Sequence, residues 1–200
     1  MEIMMQRRIL VTASTAVLAL GCLALDGCTT NRNAGTEQAA GATDQRRSID
    51  ADVDSTIQRL YSSVPGSREL VSKARGVLVF PSVLQAGFVV GAEYGKGALR
   101  VGGRTVGYYS TTSGSFGLQA GAQSKALIFL FMTEDALDKF RNSNGWSAGA
   151  DASVAVLKMG ANGTIDTTTA TKPVTAIVLT NAGLMADASL QGTKISRLTE

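Results

Sequence analysis

Most of the chain's 22 glycines fall between Gly76 and Gly149, and this restricts the fold more than any other feature. They punctuate short runs rich in Val, Phe, Tyr and Thr at 77–80, 85–96, 98–103, 104–112 and 115–123. A helix is weakened by each glycine by about 1 kcal/mol relative to alanine. Short strands with sharp bends and bulges accommodate them. The region therefore predicts a strongly curved or barrel-like sheet of mainly antiparallel strands. Pro81 reads as the stop of the first run. Residues 126–132 (ALIFLFM) are apolar without interruption, which predicts a strand buried on both faces. Asn162-Gly163 predicts a hairpin turn into a Thr-rich strand at 164–171, and 174–180 follows as another strand. Leu184, Ala186, Ala188 and Leu190 alternate as if on one face, and a last strand is expected near 194–198.

Helical periodicity appears in a few short places. Ile49, Val53, Ile57, Leu60 and Val64 recur at helical spacing behind Ser48, a candidate N-cap, with Asp50 and Asp52 at the expected positive end. Pro65-Gly66 breaks that run, and Ser67 opens a second short helix carrying Leu70 and Val71. Thr133 heads the clearest helix, with Glu134 and Asp135 in its first turn, Lys139 and Arg141 in its last, and Leu137 and Phe140 turned inward. The expected class is α+β, mainly antiparallel β with a few short helices.

The residue inventory excludes much chemistry. The chain contains no histidine, which removes Ser-His and Cys-His nucleophiles and HExxH zinc sites. Its two cysteines cannot build a four-thiolate metal site. The 44% hydrophobic content supports a core, and a net charge of +3 is far from a nucleic-acid footprint. Gly91 to Gly97 (GAEYGKG) has three residues between Gly91 and Gly95, and Gly97 follows Lys96 where a phosphate loop needs a hydroxyl. Gly87, Gly91 and Gly95, four apart, would lie on one strand face and fit close packing or a ligand chain. Asp151 reads as a capping carboxylate, with a catalytic role as the alternative. We expect no catalytic residue, no metal and no cofactor.

The N-terminus reads as an address. Arg7 and Arg8 precede an uncharged apolar stretch from Ile9 to Leu25, too short for a spanning helix and fitting a secretory leader. Leu25-Asp26-Gly27-Cys28 resembles a bacterial lipobox, with Cys22 as a rival position. The expected organisation is a signal peptide at 1–27, acylation at Cys28, a flexible tether at 28–47 and a domain at 48–200. Three acyl chains exceed what stable anchoring needs. Thr29 follows the cysteine in place of the aspartate associated with inner-membrane retention, which points to the outer membrane.

Lys73, Arg75, Lys96, Arg100 and Arg104 cluster in sequence, with Glu93 the only acid among them. Such a cluster fits phosphate headgroups, or simply solvated strand ends. The run from Ala74 to Pro81 (ARGVLVFP) resembles the opening of the SYLF domain family. Ala86-Gly87-Phe88, the GAEYGKG segment, the glycine-glutamine block at 115–124, Gly149 to Val154 (GADASV), Gly183 to Ala186 (GLMA) and Leu190-Gln191-Gly192 follow in the family's order. The resemblance extends over roughly residues 67–198. Val106-Gly107-Tyr108-Tyr109 lacks the tryptophan often found in the family's aromatic block, and 157–160 lacks its glycine-proline pair.

The resemblance implies a non-catalytic binding domain. Eukaryotic members bind phosphoinositide membranes through a basic surface and an N-terminal amphipathic helix, and some bind actin. Bacterial members are small secreted or lipidated proteins for which lipid binding is proposed. It places Lys73 and Arg75 at the family's basic junction and Lys96 in its Gly-Lys-Gly turn. The expected partner is membrane phospholipid. The alternative is a structural envelope protein that binds a protein partner or itself.

Overall fold

The computed structural model of the chain describes residues 34–87, 90–116, 123–158, 165, 172–185 and 188–199. The leader, Cys22, Cys28, the Asn162-Gly163 turn, residues 164–171 apart from Ile165, and most of the 115–124 block lie outside them. Among the described residues three helices, α1 (Ala34–Ser63), α2 (Ser67–Lys73) and α3 (Glu134–Asn142), accompany nine strands. The strands are β1 (Gly76–Gly87), β2 (Val90–Val101), β3 (Arg104–Phe116), β4 (Gln123–Phe131), β5 (Trp146–Ser147), β6 (Val154–Val156), β7 (Val174–Thr180), β8 (Gly183–Leu184) and β9 (Lys194–Arg197). They form one curled sheet in the order β5-β9-β3-β2-β1-β4-β7-β6, with β8 on β7. Among the described residues every strand pairing is antiparallel except β6 with β7. The class is α+β and mostly antiparallel, as expected.

The sheet is apolar on both sides, and β4 shows why. Its alternate residues Ala126, Ile128 and Leu130 join a cluster with Ile49, Val53 and Leu60 of α1, Val64 just after that helix, and Leu70 of α2. Leu127, Phe129 and Phe131 join the opposite cluster with Leu137 and Phe140 of α3 and with Trp146. An uninterrupted apolar run is what a strand needs when helices cover both its faces. We call the α1–α2 side outer and the α3 side inner. On the inner side Phe131 meets Phe140 at 4.8 Å between centroids, and Trp146 stands edge-on to Phe129, Phe131 and Phe140. Thr133 caps α3 by accepting from the Ala136 amide, as its sequence indicates. Both clusters draw on residues between Ile49 and Ile195, so a chain begun at residue 29 keeps every core residue described.

Three sequence expectations are revised. The first helix begins at Ala34 rather than behind Ser48, so residues 34–47, read as tether, are helical and Asp50 sits in mid-helix. The apolar stripe from Ile49 onward marks only where the helix meets the sheet. Leu184 and Leu190 do not share a face, since Leu184 packs with the outer cluster and Leu190 with the inner.

The third revision concerns Pro81, which does not stop β1. Proline has no N–H to give a central strand and is accommodated there at a bulge. The register shifts between Val79 and Ser82 opposite β2, and between Phe80 and Val83 opposite β4. The bulged backbone presses on β2, where Gly97 and Gly95 receive it. A Cβ on Gly97 would stand 2.0 Å from the Val79 carbonyl oxygen, and one on Gly95 2.8 Å from that of Ser82. Gly95 and Gly97 of GAEYGKG are thus packing residues.

Candidate anion-binding surface

The five clustered cations do not form one free patch. Arg100, with its side chain only 16% exposed, reaches from β2 to α1 and pairs with Asp54 at 2.9 Å and Asp50 at 3.6 Å. It also donates to the Asp50 carbonyl at 3.3 Å. Asp50 in turn accepts from Thr105 Oγ1 at 2.7 Å and from the Tyr108 hydroxyl at 2.8 Å. These contacts fasten α1 across β2 and β3, and Arg100 acts there as a positioning residue.

The other four are more accessible. Lys73 and Glu69 form an exposed pair at 2.7 Å one turn apart in α2, and Lys73 holds the Glu69 carboxyl below the usual carboxylate range. Arg75 approaches Glu134 at 3.7 Å with both side chains exposed. Such pairs contribute little and exchange readily for other anions. Arg104 is exposed and opens β3, and Lys96 is partly buried on β2. The register sets Val77 opposite Arg100 and Val101 opposite Arg104, so Arg75, Arg100 and Arg104 share one end of the sheet. Lys96 lies four residues along β2 from Arg100, about 13 Å at 3.3 Å per residue.

The same basic end contains a cleft of about 450 Å³ lined by Arg46, Thr105, Tyr108, Arg197, Leu198 and Thr199, among others. Arg46 also stacks its guanidinium over the Tyr108 ring at 5.6 Å. Two arginines from elements far apart in sequence, with the Thr199 hydroxyl beside them, suit an anionic group of phosphate size. Sequence reasoning missed this cleft, because nothing local connects Arg46 to Arg197. The Leu198 amide donates to the Tyr108 carbonyl, carrying the chain end along β3 and into the cleft wall.

Asp151 is exposed and accepts from the Ser147 amide at 2.6 Å, closing a turn. This is the capping role, on the surface. Among the described residues that line the neighbouring cleft of about 360 Å³, Gly149, Ser153, Val154 and Gln191 among others, there is no acid. Among the described residues no group of three or more potential metal ligands occurs.

Tyr109, buried beside Phe140, has its hydroxyl pushed above the usual tyrosine value, chiefly by burial, with Arg197 and Arg141 pulling it back. Tyr108 is raised as well, first by burial and then by its hydrogen bond to Asp50 and the charge there. A raised folded-state value means the folded chain keeps protons that the unfolded chain has released. Stability is then full below the ordinary tyrosine value of about 10 and declines as pH rises through the raised value. Chemical denaturation between pH 9 and 11.5 should show this decline. Tyr109→Phe should flatten it, leaving the part due to Tyr108.

Residues 112–200 match the family model Ysc84, described as Las17-binding protein actin regulator. The matched stretch begins within β3 and contains Arg197, while the five clustered cations precede it. No curated protein matches the chain.

Proposed function

We propose, on the premise that the chain is a SYLF-domain protein with its matched segment at residues 112–200, that it is a non-catalytic lipoprotein of the bacterial envelope that binds phospholipid headgroups. Cys28 carries the anchor, and the outer membrane is the site of attachment. The observation that carries the reading is the basic end of the sheet. There the exposed Arg75 and Arg104 stand at the same end as the cleft lined by Arg46 and Arg197. Lys73 and Lys96 extend the cationic surface, and Arg100 keeps α1 in place behind it. Guanidinium groups in an open cleft match phosphate oxygens in charge and geometry.

The test uses the chain from residue 29, which lacks acyl groups. It should pellet with vesicles containing phosphatidylglycerol. Replacing Lys73, Arg75 and Lys96 together by glutamate should abolish that pelleting. Each cation near an anionic surface is worth about 1 kcal/mol, so losing three weakens binding by roughly 100-fold, and reversal adds to this. Unchanged pelleting rejects these residues as the contact. If Arg46→Gln with Arg197→Gln then weakens binding where the triple variant does not, the cleft alone holds the headgroup. Crosslinked protein partners in cells, with no lipid-binding defect in any variant, would favour the envelope-interaction alternative. In the full chain, a clickable fatty acid should label the protein and fail to label Cys28→Ala.

A further inference from the structure

Beyond Ser82 the strands β1, β2 and β3 run on past the helices as an arm, and its polarity is reversed. On the inner side Glu93 is buried, pairs with Lys125 at 2.8 Å and accepts from Ser113 Oγ at 2.9 Å. On the outer side Leu84 and Tyr94 are directly opposed in register and stand 57% and 48% exposed. Around them Ala86, Ala92, Thr112, Gly114 and Ser124 are exposed and small. Among the described residues the arm therefore turns the Glu93–Lys125 pair inward and the large side chains of Leu84 and Tyr94 outward. A sheet in water does the opposite, whereas strands that meet lipid alternate in this sense.

We infer that this outer face of the arm is a second membrane contact, which seats Leu84 and Tyr94 in the interfacial layer of a bilayer. The inference rests on the phospholipid-binding reading and adds to it an apolar surface apart from the basic end. Charge selects the occupant. Among the described residues the face carries the cation Lys96, with Lys194 opposite Thr112 at its edge, and no acid, because the Glu93 carboxylate is on the other side. An apolar centre, a tyrosine with a polar tip and a lysine at the margin suit a bilayer with anionic headgroups. Among the described residues no helix is long and apolar enough to span a membrane, so the contact is a shallow one. The Leu84–Tyr94 pair lies six residues along β2 from Arg100, about 20 Å, so the two contacts can be separated by mutation.

The chain from residue 29 contains no cysteine, which permits a single label. Leu84→Ser with Tyr94→Ser should weaken co-sedimentation with phosphatidylethanolamine–phosphatidylglycerol vesicles tenfold or more. The basic end stays intact, and the binding that remains should be more salt-sensitive. A bimane on Leu84→Cys should shift to the blue on vesicle addition and be quenched by lipids with an acyl-chain nitroxide. A bimane on Asn142→Cys, at the exposed end of α3, should not. If the parent chain binds vesicles while the double variant binds equally and the label at 84 stays in water, the arm contact is overturned and the headgroup reading survives. If the parent chain binds no vesicle, both fall. If the parent chain is a dimer that the double variant dissociates with vesicle binding unchanged, the face belongs to a second copy and the bilayer contact is overturned.

Discussion

Gly97→Ala is expected to cost about 3 kcal/mol, the upper part of the usual range for forcing volume into a packed site. The added methyl would meet the Val79 carbonyl oxygen at 2.0 Å and the Phe80 ring at 2.8 Å. The first of these is backbone and cannot swing aside. Relief requires β1 to lift off β2 at its bulge, which loosens Phe80 from Phe129 in the inner cluster. For a domain of this size the loss lowers Tm by about 6–12 °C. Gly114→Ala is the control, since a Cβ there meets nothing within 4 Å. Scanning calorimetry of the two variants reads the difference directly. Equal Tm values would mean that the close approach of β1 to β2 is wrong.

Glu93→Ala is expected to have an effect of similar size by a different route. Lys125 is only 17% exposed, and its ammonium has Glu93 within 2.8 Å. Removing the carboxylate leaves a cation largely out of water and strips an acceptor from Ser113. Breaking one side of a buried pair costs about 3–5 kcal/mol, most of it the penalty on the group left behind. Replacing both partners, Glu93→Leu with Lys125→Met, removes that penalty and should be milder than Glu93→Ala alone. Urea denaturation of the single and double variants closes the cycle. A double variant as unstable as the sum of the singles would show that the two charges do not interact.

The parts of the fold legible in the sequence are those set by local pattern. The Ile49–Val64 stripe, the Thr133 cap with its flanking charges and the two-sided apolar run of β4 each need only their own neighbours to be read. What was not legible depends on pairing between distant segments. Pro81 looks like a terminator until Gly95 and Gly97, on the next strand, are seen to make room for a bulge. Arg100 looks like one more surface cation until Asp50 and Asp54, two turns of a helix far upstream, are laid across it. Residues 34–47 look like tether because small and polar residues give no periodicity, yet α1 runs through them. The cleft needs Arg46 and Arg197 side by side, which only the closed order of β3 and β9 provides. Glu93 reads in the sequence as a lone acid among cations. Its partner Lys125 becomes visible only when β4 pairs with β1.

The bulge at Pro81 also has a bearing on tolerance to change. Upstream of it the odd-numbered Val77 and Val79 face outward, and downstream the even-numbered Ser82 and Leu84 do. One extra residue thus shifts the phase of β1 by half a pleat, and the arm's two-tone character hangs on that single step. Adding or deleting one residue between Phe80 and Ser82 would turn Leu84 toward Lys125 and push Val83 and Gln85 into the open. Two residues added together would leave the sides as they are. A family aligned across this point should accordingly keep the parity of the segment more strictly than the identity of the residues in it.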